Sequence, residues 1–267
     1  MLALLKAFFA KFFAKKVAEV IEHQLNGWIV DKADGRDLIY KAPRVTKTRA
    51  LAPSVDLTPL FGPVESQGAL NACVGHAVTS ALEVGLKTTD KSRLFVYYNA
   101  RAGELTTSRD AGCGIRSAIL GVAKKGAADE ALWPYDASMV LVAPTAAAVS
   151  DGLSVPPRIS TYERVTTLAA LKGAINSGLP VVFGFKVYQH FRTETATTGM
   201  YSFPAGQSQI GSHAVVAVGY DDTTGMVKCR NSFGSNWGQA GYFYMPYAWF
   251  VDFTSQVSDA WVIRPKV

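Results

Sequence analysis

The sequence has few cysteines and few charged residues, and each shortage excludes a class of protein. Three cysteines in 267 residues cannot form the dense disulfide framework of a small secreted protein, and their odd number leaves at least one thiol free for chemistry. Charged residues make up 18% of the chain, below the roughly 25% of an average soluble domain. Apolar residues make up 49%, which fills the core of one large domain or of two lobes around a cleft. A disordered chain is excluded.

Long hydrophobic runs are also missing. The longest candidate, near the start of the chain, is interrupted by Lys6, Lys11, Lys15 and Lys16, so it falls short of the roughly 18 apolar residues that a membrane-spanning helix needs. Its apolar stretches are too short for a secretory signal peptide, and no clean small-residue cleavage site follows them. We therefore expect an intracellular, cytoplasmic site of action.

The net charge of +6 is concentrated in one part of the chain. Residues 1–50 contain ten Lys and Arg against five Asp and Glu, whereas the remaining residues contain seventeen against sixteen. A basic groove through the main domain, as nucleic-acid enzymes have, is therefore disfavoured. No nucleic-acid partner is expected.

The basic segment, residues 1–23, repeats apolar residues at the period of an amphipathic helix, with lysines on the opposite face. Three interpretations stay open. The helix packs on its own domain or on a second copy, it lies on an anionic membrane surface or binds a partner protein, or it covers an active site as a propeptide does. The second interpretation would make the chain peripheral to a membrane or associated with a particle.

The rest of the chain divides into three regions. Residues 24–51 contain turn and proline signals and predict an extended strap or linker. A compact domain is predicted from Ala52 to the end of the chain. It has a helical lobe at about 61–150, in which Cys73 to about Leu86 is the clearest helix, and a β-rich lobe at about 156–267. We predict an α+β fold of two lobes with a cleft between them.

Two residues of the helical lobe have the features of a nucleophile site. Cys73 follows a loop that contains glycine and begins a predicted helix, where unpaired backbone N–H groups and the helix dipole favour a thiolate. Those N–H groups, together with the side-chain amide of Gln67, would donate hydrogen bonds to an oxyanion. The alternative is a structural cysteine buried at a helix start.

The β-rich lobe offers a base and a residue to orient it. His213 opens a strongly apolar strand, and Asn231 follows the next predicted strand, where its amide would fix the tautomer of the imidazole. The chain has four histidines. His23 and His190 lie in less suitable segments, and His76 is a weaker competitor one turn after Cys73.

Together, in this order, these segments resemble the papain-like (C1) cysteine peptidases. His213 follows Cys73 by 140 residues and Asn231 follows it by 158, against about 130–150 in the family. Gln67 stands where the family has its oxyanion-hole glutamine. The resemblance also includes the segments LWPY at 132–135, HAVVAVGYDD at 213–222 and NSFGSNWGQAGYFYMP at 231–246, and it covers roughly residues 52–265.

The resemblance implies a papain-like fold, with an N-terminal helical lobe and a C-terminal antiparallel β-barrel-like lobe. It also implies a cysteine endopeptidase that acts on proteins or peptides through a Cys73 thioester, without a metal or another cofactor. His213 would act as general acid and base, with Asn231 orienting it. Residues in the positions of the family's substrate contacts are Gly114, Ile115, Ser212, Ala214 and Trp237.

Departures from the family pattern bear on where the chain acts. Leu70 replaces the usual disulfide cysteine before the nucleophile, so Cys113 has no partner there. A missing bridge agrees with a reducing compartment, and with prokaryotic or viral relatives better than with lysosomal ones. Ile115 and Arg116 replace the family's paired glycines, and Phe233 replaces a tryptophan.

An alternative function uses the same fold without turnover. The chain would then be a catalytically silent or latent papain-like module for binding or structural assembly, docked through its N-terminal amphipathic helix. The position of residues 1–51 relative to the cleft bears on the two hypotheses, because a segment that crosses the cleft would imply latency.

Overall fold

The protein was analysed as a computed structural model, which describes residues 23–42, 50–88, 90–154, 159–202 and 206–265. Three helices pack together as a helical lobe, and a sheet with smaller helices forms the other lobe. The helices are α1 (Cys73–Leu86), α2 (Arg93–Gly103), α3 (Ile115–Lys125), α4 (Ala146–Ser154), α5 (Leu168–Asn176), α6 (Gln189–Arg192) and α7 (Glu194–Thr198). Short 3-10 turns span Thr58–Leu60, Ala137–Met139 and Tyr247–Phe250.

An antiparallel sheet of seven strands carries the second lobe. Its order is β2-β7-β3-β4-β5-β6, and β1 pairs with β4 beside this path. The strands are β1 (Ser54–Asp56), β2 (Ile159–Arg164), β3 (Val181–Tyr188), β4 (Gln209–Asp221), β5 (Met226–Arg230), β6 (Tyr242–Pro246) and β7 (Val257–Pro265).

Helix α1 is the central element of the helical lobe. Its apolar residues recur at helical spacing, and every residue from Cys73 to Glu83 is buried. The helix ends where Lys87 adopts the left-handed conformation, with φ of 55°. No side chain caps its start at Ala72, so the first backbone N–H groups of α1 remain available to other acceptors.

The sheet separates two buried cores because successive side chains of a strand point to opposite faces. On β3, Val181, Phe183 and Phe185 belong to the core of the β-rich lobe, whereas Val182 packs with the helical lobe. On β4, Ala214 and Val216 pack toward α1. His213 precedes Ala214 and lies on the opposite face of β4, where its ring contacts Phe185 and Phe233.

The α+β class and papain-like architecture expected from the sequence agree with this structure, although the sheet is open and does not close into a barrel. The predicted helix from Cys73 to Leu86 has those bounds in the structure. Strands β1, β2 and β7 were not among the predicted strands. Within the described residues, no helix is long and apolar enough to cross a membrane.

The predicted amphipathic helix at residues 1–23 falls outside the described residues except at its last position. His23 lies in a bend and not in a helix, so the prediction is wrong at that residue. Residues 24–42 form no helix or strand and contribute only isolated bridges to neighbouring segments.

Candidate active site

Cys73 is the first residue of α1, and its side chain is fully buried. Backbone N–H groups of Cys73, Val74 and Ala214 lie close enough to the sulfur to favour its charged form. The uncapped start of α1 supplies two of these groups, and β4 supplies the third. The cysteine therefore lies where the helical lobe and the sheet meet.

His213 and Asn231 form a buried pair next to this cysteine loop. The Nε2 atom of His213 lies 2.8 Å from the Oδ1 atom of Asn231, which also accepts a hydrogen bond from the backbone N–H of Ser232 at 2.8 Å. Because Oδ1 can only accept, His213 carries its proton on Nε2. Its Nδ1 atom is buried and has no hydrogen-bond partner within the described part of the chain, so no hydrogen bond joins the imidazole to the thiol of Cys73.

Gln67 is connected to the same corner of the site. Its Oε1 atom accepts a hydrogen bond from the Ser232 hydroxyl at 2.7 Å, which leaves the Nε2 group to donate. That group donates to the carbonyl of Leu70 at 2.8 Å and to the carbonyl of Gln24 at 3.3 Å. The sequence analysis did not single out Ser232, which orients this amide.

Residues 23–31, which we call the cleft segment, cross the site. Gly27 lies directly over Cys73, since a Cβ atom built on Gly27 would be 2.7 Å from the sulfur and 2.5 Å from the carbonyl oxygen of Asn71. No side chain fits at this position. The backbone of the cleft segment therefore occupies the space in front of the thiol.

Backbone hydrogen bonds join the cleft segment to both lobes. On the helical side, the Cys113 N–H donates to the Gly27 carbonyl at 3.0 Å and the Ile29 N–H donates to the Cys113 carbonyl at 3.1 Å. On the sheet side, the Ser212 N–H donates to the Leu25 carbonyl at 2.5 Å. Both pairings run parallel to the lobes' own chains. The cleft segment thus lies between the two lobes and is joined to each of them by an isolated bridge.

Two side chains of the cleft segment are buried in pockets on either side of Gly27. The ring of His23 stacks on Phe233 at 4.1 Å with an angle of 4° between the ring planes. The indole of Trp28 lies over Gly184, where an added Cβ would be 2.0 Å from the ring. Its Nε1–H donates to the Oδ2 atom of Asp259 at 3.2 Å. Both contacts hold the segment against the sheet.

A buried cluster of charges anchors the end of the cleft segment. The Asp31 N–H donates to Asp259 at 2.7 Å, and the Trp261 indole N–H donates to the Asp31 carboxylate at 3.0 Å. Arg164 donates to Asp259 at 3.0 Å and to Asp37 at 2.6 Å. Asp31 and Asp37 are thereby hydrogen-bonded to residues of the sheet.

Burial changes the ionisation of the pair. Despite the three backbone N–H groups, burial raises the pKa of the Cys73 thiol to about 12. Burial likewise lowers the pKa of His213 to about 4, although the hydrogen bond to Asn231 opposes the change. Both effects favour the uncharged thiol and imidazole at neutral pH. The thiolate expected from the helix start is therefore not favoured while the cleft segment covers the site.

The structure brings Cys73, His213, Asn231 and Gln67 together. Of the five predicted substrate contacts, three lie next to the thiol or the cleft segment. Ser212 does contact a peptide, namely the cleft segment, since its hydroxyl also donates to the Trp28 carbonyl at 2.8 Å. Ala214 offers its N–H to the thiol, and Gly114 lies against Asp31.

The two other predicted contacts lie in the cores. Ile115 is fully buried in the core of the helical lobe, and Trp237 is buried against Phe233 at 5.6 Å. These positions suit packing better than contact with a substrate. The ring centroid of Phe233 lies 4.8 Å from that of His213.

The competing histidines have other surroundings. His190 hydrogen-bonds Gln207 and the carbonyl of Ser202, away from the pair. His76 packs edge-on against Tyr135 at 4.7 Å. The three cysteines are free and buried. Among the described residues, no three His, Cys, Asp or Glu side chains are grouped as metal ligands.

The chain is similar to a known protein family and to a viral protein. Residues 53–256 match the papain family cysteine protease profile. An uncharacterized peptidase C1-like protein of Acanthamoeba polyphaga mimivirus is 32% identical over 268 residues, which cover 89% of this chain and 86% of the viral protein.

Solved structures give the same result. Xylellain, a cysteine protease from Xylella fastidiosa, is 33% identical and superposes with a TM-score of 0.82 over 92% of this chain and 98% of its own. A procathepsin B from Trypanosoma congolense is 18% identical with a TM-score of 0.68, over 96% of this chain and 88% of its own. It shares the fold. The bacterial and viral relatives agree with the expected kinship.

The ionisation of Cys73 generates a first prediction. With the thiol pKa raised to about 12, iodoacetamide will alkylate Cys73 of the full-length chain at pH 7.5 at least about tenfold more slowly than a cysteine in an unstructured peptide, because the thiolate is the reacting form. Peptide-resolved mass spectrometry measures the rate, and Cys113 and Cys229 serve as buried internal references. A rate equal to that of the free peptide would contradict the prediction.

Proposed function

Because the chain belongs to the papain family of cysteine proteases, we propose that it hydrolyses peptide bonds with Cys73 as nucleophile, and that the cleft segment keeps the full-length chain latent. The substrates are proteins or peptides, as for the family. The observation that carries the proposal is the position of Gly27 over the Cys73 sulfur, beside a histidine that Asn231 already orients.

The chemistry begins when the cleft segment leaves. Water then reaches Cys73 and His213, so the penalty of burial falls and the proton moves from the thiol to the Nδ1 atom of His213. The thiolate attacks the carbonyl carbon of the scissile peptide bond. His213 gives its proton to the departing amine, and a thioester to Cys73 remains.

A water molecule completes the reaction. His213 takes one proton from the water as its oxygen attacks the thioester, and the acid product leaves as the Cys73 sulfur is released. Asn231 accepts from Nε2–H throughout, which keeps Nδ1 directed to the reacting groups.

Gln67 would stabilise the oxyanion in both steps. Its Nε2 group donates to the Gln24 carbonyl of the cleft segment at 3.3 Å, so one N–H becomes free for a substrate oxygen when that segment leaves. The backbone N–H of Cys73 is the second donor. Ser232 holds the amide in this orientation through its hydrogen bond to Oε1.

Latency follows from the same contacts. The cleft segment excludes substrate from the front of the thiol, and its burial of Cys73 and His213 opposes the charged pair. Residues 1–22 precede this segment, and their binding to a membrane surface or to a partner protein stays a prediction, as does an intracellular location. A catalytically silent module would not hydrolyse peptides even after the cleft segment has left the site. The next experiment tests this difference.

The first test exchanges Gly27 for alanine in the full-length chain. The new methyl group would lie 2.7 Å from the Cys73 sulfur, so docking of the cleft segment is weakened by about 1–3 kcal/mol. We expect Gly27→Ala to raise both the hydrolysis of a fluorogenic peptide and the alkylation of Cys73 relative to the unmodified chain.

Gly35→Ala is the matched control, because an added Cβ at Gly35 meets nothing within 4 Å. This variant should behave as the unmodified chain, and Gly27→Ala combined with Cys73→Ala should be inactive. Equal activity in all chains that keep Cys73 would contradict latency. A Gly27→Ala chain that labels at Cys73 yet hydrolyses no peptide would support the silent module.

The pH dependence of docking is a further prediction. Within the cleft segment, His23 and Asp31 act in opposite directions. Burial lowers the pKa of His23 to about 4 in the docked state, against about 6.5 when free. The docked state therefore binds fewer protons, and docking weakens as the pH falls from 7 to 5, by about 20-fold through this group. Burial, followed by the charge of Asp259, raises the pKa of Asp31 to about 6, so this group strengthens docking by about tenfold over the same range.

Two substitutions separate these groups. His23→Phe keeps a ring on Phe233 but does not titrate, so the ratio of the docking equilibrium constant at pH 7 to that at pH 5 should be about 20-fold lower than in the unmodified chain. Asp31→Asn should instead increase the acid weakening by about tenfold. Hydrogen exchange of residues 23–31 in a Cys73→Ala chain, corrected for intrinsic exchange rates, measures docking. Identical pH slopes in all three chains would exclude both assignments.

A further inference from the structure

A small cavity lies beside Asn231, and its described lining includes no residue of the cleft segment. Its volume is about 10 Å³, about the space that a single buried water needs. Helix α1 contributes His76, Ala77 and Ser80 to its wall, β4 contributes Ala214 to Val216, and the end of β5 leads into Asn231 and Ser232. The cavity therefore adjoins the residue that orients the histidine.

Two buried polar atoms on residues of this wall have no hydrogen-bond partner among the described residues. They are the Nε2 atom of His76 and the Nδ2 atom of Asn231, and both residues are 3% exposed. Leaving such a buried group without a partner is destabilising. A water is the partner that both atoms can share, since it donates to one acceptor and accepts from one donor.

The orientation of the Asn231 amide matters for His213. Its Oδ1 atom faces Nε2 of His213 and the N–H of Ser232, whereas the other end of the amide has no protein contact that distinguishes oxygen from nitrogen. An amide rotated by 180° would present its NH₂ group to the Nε2–H of His213, and the other tautomer of the imidazole would then be favoured. The backbone N–H of Ser232 already opposes this rotation, and a hydrogen-bond partner on the Nδ2 side would oppose it further.

We propose that His76 is a positioning residue, which holds the Asn231 amide in place through one water in this cavity. The water accepts from Nδ2–H of Asn231 and donates to the Nε2 atom of His76. The amide is thereby fixed with Oδ1 toward His213. The inference rests on the proposed function, because it assigns His76 a role through Asn231 in that same reaction.

The surroundings of His76 suit an acceptor. Burial, together with Arg93 and Arg230, lowers the pKa of His76 well below its usual value, so its imidazole is neutral and one ring nitrogen can accept. The ring also packs against Tyr135. Phenylalanine at this position keeps that aromatic contact and removes only the nitrogens.

The first measurement does not need activity. In the full-length Cys73→Ala chain, a high-resolution crystal structure should show a water within about 3.2 Å of both His76 Nε2 and Asn231 Nδ2. Nitrogen-15 NMR should find His213 in the Nε2–H tautomer, and His76→Phe should shift it to a mixture of tautomers. An empty cavity, or a tautomer unchanged by His76→Phe, would overturn the proposal even if the chain hydrolyses no peptide.

The second measurement is a double-mutant cycle in the full-length Gly27→Ala chain. His76→Phe should lower kcat by about tenfold or more and leave KM unchanged, as expected for loss of positioning. In an Asn231→Ala background the same change should cost nothing further, because the residue through which His76 acts is gone. His76→Gln, which retains an acceptor, should recover most of the activity.

Thr79→Val is the matched control on α1, since the Thr79 hydroxyl is buried without a partner and valine has nearly its shape. It should leave kcat unchanged. If His76→Phe is as active as Thr79→Val, or if its loss persists in the Asn231→Ala background, His76 has no positioning role. If the Gly27→Ala chain is inactive before any of these changes, the proposed function fails, and the crystallographic and NMR measurements still decide the role of His76.

Discussion

The backbone of Gly27 lies so close to the sulfur of Cys73 that no side chain fits between them, and the neighbouring residues are arranged to maintain this approach. Leu25 and Ile29 hydrogen-bond to opposite lobes, and His23 and Trp28 bury their rings in the sheet on either side of the glycine. A glycine alone could not hold an extended segment in place. The buried rings supply the apolar contact area, and the backbone pairing fixes the height of the segment above the thiol.

Coverage of the site also determines the charge state of its central groups. A helix start and the N–H of Ala214 favour a thiolate at Cys73, but these groups lie in a place from which water is excluded, and the penalty of burial is larger. The same penalty acts on His213 with the opposite sign. The cleft segment therefore has two effects. It blocks access to the thiol, and it disfavours the charged forms of Cys73 and His213 because it excludes solvent from them.

The sequence predicted those parts that depend on local pattern. The helix from Cys73 to Leu86 follows from the apolar spacing of Val74, Ala77 and Ala81, and strand β4 follows from its unbroken apolar run. Strand β2 was missed because it is an edge strand without a fully buried residue, and β1 because three residues carry no measurable period. The cluster of Cys73, His213, Asn231 and Gln67 could be predicted because the spacing of these residues in the sequence resembles that of the papain-like family, whose fold brings such positions together.

The position of the cleft segment could not be predicted, because it depends on contacts between distant parts of the chain. Nothing near Trp28 in the sequence indicates that Gly184 leaves room for an indole, and nothing near His23 indicates a partner at Phe233. The cavity beside His76 likewise requires three elements to come together. The available sequence signal for the position of the cleft segment was Gly27 followed by Trp28 in an otherwise irregular stretch.

The pairing of the cleft segment with Ser212 has a consequence for how the protein is made. Ser212 lies 184 residues after Trp28, so the cleft segment leaves the ribosome long before its partner strand exists. The catalytic base, His213, is the residue next to that partner. During synthesis, the catalytic base and one backbone anchor of the cover thus come from the same strand at nearly the same moment. A growing chain in which His213 can reach Cys73 therefore also has Ser212 available to hold the cleft segment.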